Sequence, residues 1–311
     1  GRSPLTVRPP DRPSACPPVV RSRPLAPGLP AVSIIGFGGM PLSIAGRPDP
    51  AAARATLHAS LDAGITLIDT ADVYCLDDRE IGHNERLIAT VLREWPAGPG
   101  REAILVATKG GLTRPRGGWE RNGRPSHLRR ACEQSLRALG VERIALYQLH
   151  APDPAVPFGE SVGALAELRR EGKIRWVGLS NVTVSQIRAA EAIVPIATVQ
   201  NRLNPFFREA LDAVVGYCRE RNIGFLAYSP VGGGRLNKKL PAHPVLQRLA
   251  ARHHASPHAV VIAWVLAQGP AVFAIPGART AEHARDGASA VDLKLTADER
   301  REIDEAEFER R

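Results

Sequence analysis

Short runs of apolar and β-branched residues recur along the chain and predict the strands of a sheet. Their apolar positions are consecutive and not alternating, as expected of strands that are buried on both faces. The eight runs are SIIGFG (33–38), ITLID (65–69), AILVATK (103–109), IALYQLH (144–150), IRWVGLSN (174–181), IATVQ (196–200), IGFLAYSP (223–230) and AVFAIPG (271–277). They indicate a parallel sheet with both faces covered.

Segments with helical spacing separate these runs. In the segment 50–64, Leu57 and Leu61 share one stripe; in the segment 126–140, Ser126 is placed as an N-cap and Gly140 as a C-terminal stop. Further helices are predicted at 158–172, 182–193, 208–222, 256–269 and 296–309. Eight strands alternating with helices predict the α/β class and, within it, a (β/α)8 TIM barrel.

A doubly wound parallel sheet is the alternative fold. That fold has a glycine-rich turn between its first strand and first helix, and Gly36 to Gly39 are a partial candidate. Met40 and Pro41 follow directly, so the glycine pattern of that turn is not completed. The barrel is therefore the preferred prediction.

The N-terminal segment differs in composition from the rest of the chain. Residues 1–30 hold nine prolines and five arginines without apolar periodicity, which predicts an extended or flexible arm before a single barrel domain at 31–311. The uncharged stretch 24–46 superficially resembles a signal peptide or membrane span, but prolines and glycines interrupt it. We expect a cytoplasmic protein with no membrane association.

Composition narrows the function classes further. The 311 residues carry a net charge of +9, but no basic block is interleaved with aromatics, so nucleic-acid binding is not expected. The four cysteines lie far apart without metal-ligand spacing, which predicts reduced thiols and no metal site. The richness in Ala, Arg and Pro is typical of a bacterial gene with high GC content.

Polar residues stand at the carboxyl ends of successive predicted strands, where barrels gather their reactive groups. Asp69 ends the second run, with Tyr74 five residues later; Lys109 ends the third and His150 the fourth. Each residue alone has a structural explanation, but together they would converge in one pocket. A buried lysine there needs a carboxylate nearby, and Asp69 supplies one.

This group of four suits the protonation of an oxygen on which charge develops. The ammonium of Lys109 is expected to lower the pKa of Tyr74 and make it a better general acid, while His150 hydrogen-bonds the same substrate oxygen. Carbonyl reduction by hydride requires such a group, and the hydride must come from a cofactor because no side chain supplies one.

The motifs DTADVY, ATKGG, LYQLH, GLSN, AYSP and IPGAR, with the strand-end Gln200, occur in the order and separation that resemble the aldo-keto reductase superfamily, a resemblance that covers about residues 33–290. It implies an NADP-dependent aldo-keto reductase that reduces an aldehyde or ketone, with Asp69, Tyr74, Lys109 and His150 as catalytic residues. Sugars, keto-sugars and carbonyls of secondary metabolism are all candidate substrates.

The resemblance also implies a cofactor site. Ser180, Asn181 and Gln200 would hold the nicotinamide carboxamide, and Tyr228 would stack on the ring. The loop from Ser229 to Arg235 would pass over the pyrophosphate, since its glycines permit close backbone approach. The guanidinium of Arg279 suits the 2′-phosphate and favours NADPH over NADH. Further cofactor contacts are predicted at Val231, Gly232, Gly234, Gly277, His283 and Asp286.

Several positions depart from the family pattern. Asp286 and Gly287 replace the usual Glu-Asn pair near the adenine, and the N-terminal arm is expected to replace most of the hairpin that plugs the barrel. The chain has no long C-terminal loop after the last predicted helix, which predicts a more open substrate mouth. Trp119, after the third strand, matches a common family aromatic and is predicted to line that mouth or to pack beneath the loop.

Two other functions remain open. In the first alternative, the protein would bind NADPH but serve as a regulatory or partner-binding subunit. The four intact catalytic groups argue against this alternative. In the second alternative, Lys109 would form a Schiff base with the substrate, as in an aldolase. That chemistry leaves Ser180, Asn181, Gln200 and Arg279 without a role. The oligomeric state and the direction of the reaction are not predicted.

Overall fold

A computed structural model describes residues 21–96 and 98–310 of the chain. Eight parallel strands follow one another in sheet order, as a (β/α)8 barrel requires, so that prediction is confirmed. The strands are β1 (Phe37–Gly38), β2 (Leu67–Asp69), β3 (Leu105–Gly110), β4 (Ile144–Leu149), β5 (Ile174–Ser180), β6 (Ile196–Arg202), β7 (Gly224–Tyr228) and β8 (Val272–Ile275). Because strand order equals chain order, the doubly wound alternative is excluded.

Helices cover the outside of the barrel. They are α1 (Pro50–Asp62), α2 (His83–Glu94), α3 (Pro125–Leu139), α4 (Phe158–Arg170), α5 (Val184–Glu191), α6 (Val214–Glu220), α7 (Pro244–His253), α8 (Pro257–Leu266), α9 (Ala281–Ser289) and α10 (Ala297–Glu305). Single helical turns lie at Pro99–Glu102, Glu209–Asp212 and Gly233–Leu236. The sequence pattern did not indicate α2, α7 or α9.

The predicted boundaries of α3 are half right. Gly140 ends the helix in the left-handed conformation with φ of 67°, as predicted. Ser126 is not the N-cap, because the helix starts one residue earlier at Pro125, whose fixed φ suits the first helical position.

Close backbone contacts close the barrel between β1 and β8. The Gly36 amide donates to the Ala274 carbonyl at 2.8 Å, and the Gly38 amide to Pro276 at 2.9 Å. A Cβ on Gly38 would lie 2.8 Å from the Ile275 carbonyl oxygen. The run of glycines that resembled a phosphate-binding turn therefore serves this close approach of two strands.

A two-stranded antiparallel hairpin plugs the amino-terminal end of the barrel. Ser22–Pro24 pairs with Ala31–Ser33, and Leu25 at its turn is buried. A Cβ on Gly224 would lie 2.3 Å from the Leu25 carbonyl oxygen, so the hairpin abuts the start of β7. The expectation that the N-terminal arm replaces this hairpin is wrong, because Leu25, Leu29 and Val32 supply the apolar contacts that it needs. Residues 1–20 of the predicted arm lie outside the described residues.

Over the ranges that the structure describes, no helix has both the length and the apolar character that crossing a membrane requires.

Candidate active site

The four residues predicted to be catalytic lie together at the carboxyl end of the barrel. Lys109 Nζ lies 2.6 Å from Asp69 Oδ2 and 2.9 Å from the Tyr74 hydroxyl oxygen. The rings of Tyr74 and His150 meet edge to face, with 5.8 Å between their centroids. Asp69 ends β2, Lys109 lies in β3 and His150 follows β4, so neighbouring parallel strands bring them together.

The side chain of Lys109 is fully buried and keeps its charge. Burial would lower the pKa of Lys109, but the Asp69 carboxylate and the Tyr74 hydroxyl outweigh that effect, and its pKa is raised above 10.5. All three ammonium hydrogens find oxygen acceptors, the third being the Thr70 carbonyl at 2.9 Å. An ammonium held in this way is a poor nucleophile, which argues against a Schiff base on Lys109.

The environment of Tyr74 differs from the prediction in one respect. Burial raises the pKa of Tyr74 above 10.0, and the charge of Lys109 offsets only part of that effect. The expectation of a lowered pKa is therefore wrong, because desolvation of a phenolate outweighs one nearby ammonium. Tyr74 keeps its proton at neutral pH, as a proton donor must.

His150 is held as a neutral imidazole. Its ring is buried, and burial together with the charge of Lys109 moves its pKa well below 6.5. Its Nδ1 has no hydrogen-bond partner among the described residues. A neutral imidazole in this position offers a hydrogen bond to a substrate oxygen without competing with Tyr74 as the proton donor.

The second oxygen of Asp69 has partners of its own. Gln200 Nε2 donates to Asp69 Oδ1 at 2.7 Å, and Gln148 Nε2 lies 3.4 Å from the same oxygen. Gln148 was not predicted as a site residue. The available signal was a polar residue inside an apolar strand, two positions before His150 and hence on the same face.

Asn181 connects Ser180 and Tyr228, which are also predicted to contact the nicotinamide, to His150. Its Nδ2 donates to the His150 carbonyl at 3.0 Å and to Ser180 Oγ at 3.1 Å, and its Oδ1 accepts from the Tyr228 hydroxyl at 2.8 Å. Asn181 is exposed and adopts a left-handed conformation with φ of 58°. Hydrogen bonds therefore join the side chains of Ser180, Asn181 and Tyr228 in one group next to His150, whereas the Gln200 amide nitrogen binds inside the barrel.

The loop after β7 is anchored from two sides. The Ser229 carbonyl accepts from Asn204 Nδ2 at 2.8 Å, and Arg235 donates to the Arg310 carbonyl at 2.6 Å. Gly232 and Gly233 have φ of 91° and 73°, a conformation that favours glycine. Val231 is half-buried between them and Ser229, and Gly234 is exposed.

The loop after β8 and the helix α9 hold the remaining residues that are predicted to bind the cofactor. Arg279 is exposed and donates to the Ala45 carbonyl at 3.2 Å, while Asp286 Oδ2 accepts from Ser256 Oγ at 2.6 Å. Gly277 pairs with Gly38 at the barrel closure, and His283 is exposed on α9. The contacts of Ser256 and of the loop around Ala45 were not predicted, since neither is near Arg279 or Asp286 along the chain.

Trp119 is exposed at the tip of a second hairpin, in which Leu112–Thr113 pairs with Glu120–Arg121. Its ring stacks on Arg114, whose Cζ lies 3.8 Å from the ring centroid. Of the two roles predicted for Trp119, packing beneath the loop does not fit its exposure.

The cysteine thiols among the described residues are buried. Cys75, Cys132 and Cys218 are free and buried, and burial raises the pKa of their thiols to about 11, about 12 and about 12. In the part of the chain covered by the structure, no three His, Cys, Asp or Glu side chains gather as a metal site would require.

Comparison with known proteins identifies the class of protein that this barrel and site define. The sequence profile described as the aldo/keto reductase family matches residues 34–307, and the chain belongs to that family. A probable aldo-keto reductase 1 from Glycine max is 36% identical, over 88% of this chain and 85% of the relative. An uncharacterized oxidoreductase from Schizosaccharomyces pombe is 34% identical, over 88% and 86%.

Solved structures agree with the family assignment. A glycerol dehydrogenase from Gluconobacter oxydans superimposes with a TM-score of 0.77 and 31% identity, covering 90% of this chain and 93% of that one. An aldo/keto reductase from Klebsiella pneumoniae in complex with NADP and acetate gives 0.76 and 27%, covering 92% and 95%. This chain is therefore a member of an oxidoreductase family.

Proposed function

We propose that this protein reduces an aldehyde or ketone to the alcohol with NADPH, and that Tyr74 is the general acid. One observation carries the proposal: a fully buried ammonium, Lys109 Nζ, contacts both the Asp69 carboxylate and the Tyr74 hydroxyl, with His150 at the edge of the tyrosine ring. That arrangement matches a reaction in which a negative charge develops on oxygen and must be quenched by a proton.

Each residue has a distinct part in that reaction. When bound, NADPH supplies a hydride to the carbonyl carbon. Tyr74 gives its proton to the carbonyl oxygen, and the Lys109 ammonium stabilises the phenolate that remains. Asp69 keeps that ammonium in place, and neutral His150 donates a hydrogen bond that orients the carbonyl oxygen. Because Tyr74 is only 6% exposed, the proton transfer takes place away from bulk water.

The residues beside this group fit a nicotinamide dinucleotide. Asn181 is exposed and offers amide atoms next to Ser180, at the place where a carboxamide needs donors and acceptors. Tyr228 is half-buried with its hydroxyl tied to Asn181, so its ring is held as a stacking surface. Gln200 is buried and its Nε2 is bound to Asp69, so its side-chain oxygen is the atom that it offers to the carboxamide.

The phosphate and adenine positions also fit. The loop through Ser229, Val231, Gly232, Gly234 and Arg235 offers backbone amides and a guanidinium to the pyrophosphate. The exposed guanidinium of Arg279 suits a 2′-phosphate, which favours NADPH over NADH. Gly277, His283 and Asp286 lie in the same loop and helix. The structure of the Klebsiella pneumoniae relative in complex with NADP supports this choice of cofactor.

The variant Tyr74→Phe tests the proposal. We expect it to abolish NADPH oxidation in the presence of aldehydes and to leave the Kd for NADPH within about twofold, because a phenyl ring keeps the shape but loses the proton. Tyr217→Phe is the matched control, since that hydroxyl binds Glu191 on the outside of the barrel. Full activity of Tyr74→Phe would exclude Tyr74 as the acid, and tight NADPH binding without turnover of any carbonyl by the unmodified protein would favour a regulatory subunit.

A further inference from the structure

Arg114 is a buried arginine that joins two loops at the catalytic end of the barrel. It is 4% exposed and donates to the Gly117 and Gly118 carbonyls at 2.7 and 3.1 Å. Its other terminal nitrogen donates to the Cys75 and Leu76 carbonyls, both at 3.0 Å. The guanidinium therefore fastens the loop after β2 to the loop after β3.

This arrangement is electrostatically costly. Within residues 21–96 and 98–310, no carboxylate oxygen lies within 4.0 Å of the Arg114 guanidinium, and its Nε has no hydrogen-bond partner there. A buried charge without a carboxylate in contact is expensive, and the carbonyl dipoles together with the more distant charge of Asp77 offset only part of that cost. An apolar residue of similar volume is often at least as stabilising at a buried position. The cost of burying Arg114 therefore indicates a role for the positions that it imposes on the two loops.

Arg114 contacts two residues whose apolar side chains are exposed, Trp119 and Leu76. Its guanidinium stacks on Trp119, which is 47% exposed, and it holds the carbonyl of Leu76, which is 38% exposed. Among the described residues, the other large apolar side chains with such exposure are Val141 and Ile193. Those two precede β4 and β6 and so lie at the opposite end of the barrel. The exposed apolar surface at the catalytic end is thus the pair that Arg114 fixes.

The pair lies next to the proposed acid. Cys75 and Leu76 directly follow Tyr74 in the chain. Leu112, at the base of the Trp119 hairpin, packs on the small apolar cluster that contains Tyr74. The two loops also touch, because a Cβ on Gly117 would lie 3.2 Å from the Leu76 carbonyl oxygen.

We infer that Arg114 is a positioning residue that holds Trp119 and Leu76 as an apolar wall beside Tyr74, and that this wall selects carbonyl substrates bearing an aromatic or extended apolar group. The inference rests on the proposed function. One face of the indole is covered by the guanidinium, and its exposed remainder is available to stack on a substrate ring. A short aldehyde reaches Tyr74 without touching the wall.

Two aldehydes with the same reactive group test this inference. Propanal and 3-phenylpropanal share an aliphatic carbonyl and differ by one phenyl ring. We expect the KM for 3-phenylpropanal to be about tenfold lower than that for propanal, because a ratio of this size corresponds to the free energy of one aromatic contact. Arg114→Met should raise the KM for 3-phenylpropanal about tenfold, with kcat and both constants for propanal changed less than about twofold.

Further variants separate the wall from a general effect on folding. Arg114→Lys should give an intermediate KM, because an ammonium is a point charge and cannot serve carbonyls of both loops with a planar fork. Arg116→Met, at an exposed arginine in the same turn, is the matched control and should leave every constant unchanged. Trp119→Leu changes an exposed side chain and should lose the preference for 3-phenylpropanal even if Arg114→Met does not fold.

Equal losses for the two aldehydes in Arg114→Met would overturn the inference and leave Arg114 a purely structural residue. A wild-type protein without a preference for 3-phenylpropanal over propanal would also overturn the inference, as would a Trp119→Leu variant that keeps this preference. Binding of 3-phenylpropanol, followed by tryptophan fluorescence, gives a readout without turnover: we expect saturable quenching that Trp119→Leu abolishes. Quenching without reduction of any aldehyde would sink the proposed function but not the wall; reduction without quenching would do the reverse.

Discussion

Gln200 donates a hydrogen bond from its side-chain amide to Asp69 Oδ1 at 2.7 Å across the interior of the barrel. The other carboxylate oxygen accepts from Lys109 at 2.6 Å. All three side chains are buried. The orientation of the carboxylate that holds Lys109 therefore depends on a residue of β6, on the far side of the barrel from β2 and β3.

Gln200→Met should destabilise the protein. The variant keeps the length of the side chain but removes the donor, which leaves Asp69 Oδ1 with only the long contact to Gln148. A hydrogen bond to a charged group contributes about 1.5–3 kcal/mol, and we expect the free energy of unfolding in urea to fall by about that amount. Gln247→Met, on the exposed side of α7, is the control; equal effects of the two changes would contradict the prediction.

The strand-end residues show how much the sequence alone reveals. Asp69, Lys109 and His150 end apolar runs, and the parallel barrel brings the ends of neighbouring strands together, so their convergence follows from periodicity. The contact between Gln200 and Asp69 does not follow, because strand ends indicate a shared rim but not the direction in which a side chain turns. The raised pKa of Tyr74 is also beyond the sequence, since it depends on how completely the pocket excludes water.

Similar reasons explain why some elements of the fold could not be predicted from the sequence. The helix α2 follows a polar loop and opens with His83, without a capping residue that would mark its start. The N-terminal hairpin is rich in proline, and its pairing of Ser22–Pro24 with Ala31–Ser33 depends on contacts with the distant Gly224. Nothing in the sequence marked Arg114 as a residue that joins two loops, because the carbonyls that it binds come together only in the folded protein.

His150 makes stability depend on pH below its usual titration range. Burial and the charge of Lys109 move the pKa of His150 well below 6.5 in the folded protein, so the unfolded chain binds the proton more readily. Stability should fall as the pH falls below about 6.5, with a limiting slope of about 1.4 kcal/mol per pH unit from this group.

His150→Gln tests that linkage. The variant should lose less stability than the wild type between about pH 6 and pH 5, measured by urea unfolding at each pH. His83 and His127 also have pKa values lowered by burial, and their contributions cancel in the difference between the two proteins. His283→Gln, at an exposed position, should keep the wild-type slope; if His150→Gln keeps it as well, the imidazole is not held neutral.

Arg279 is predicted to set the preference between the two nicotinamide cofactors. Arg279→Met should raise the Kd for NADPH about tenfold to a hundredfold, because charged hydrogen bonds to the 2′-phosphate are lost, and should change the Kd for NADH less than about twofold. Fluorescence titration with each cofactor measures both values. Arg285→Met, exposed on α9, is the control; equal weakening of both cofactors would place Arg279 away from the 2′-phosphate.

The segment after α10 packs beside the loop after β7 and contacts it. Phe308 stacks on His243 with 4.3 Å between ring centroids and packs edge-on against Phe206 at 5.4 Å. Nearby, His243 contacts the Glu307 carbonyl at 3.1 Å, and Arg235 donates to Arg310. These contacts hold the predicted pyrophosphate loop in place from its outer side.

Phe308→Ala should loosen that loop and speed the release of NADPH. Two aromatic contacts together contribute about 1–3 kcal/mol, so the dissociation rate constant should rise at least about fivefold, while association changes little because the binding residues remain. Stopped-flow fluorescence after displacement by excess NADP+ measures the rate. Ile193→Ala, an exposed apolar residue at the other end of the barrel, should leave it unchanged. An unchanged rate in Phe308→Ala would mean that the loop holds its shape without the C-terminal segment, through Asn204 and its own glycine turn alone.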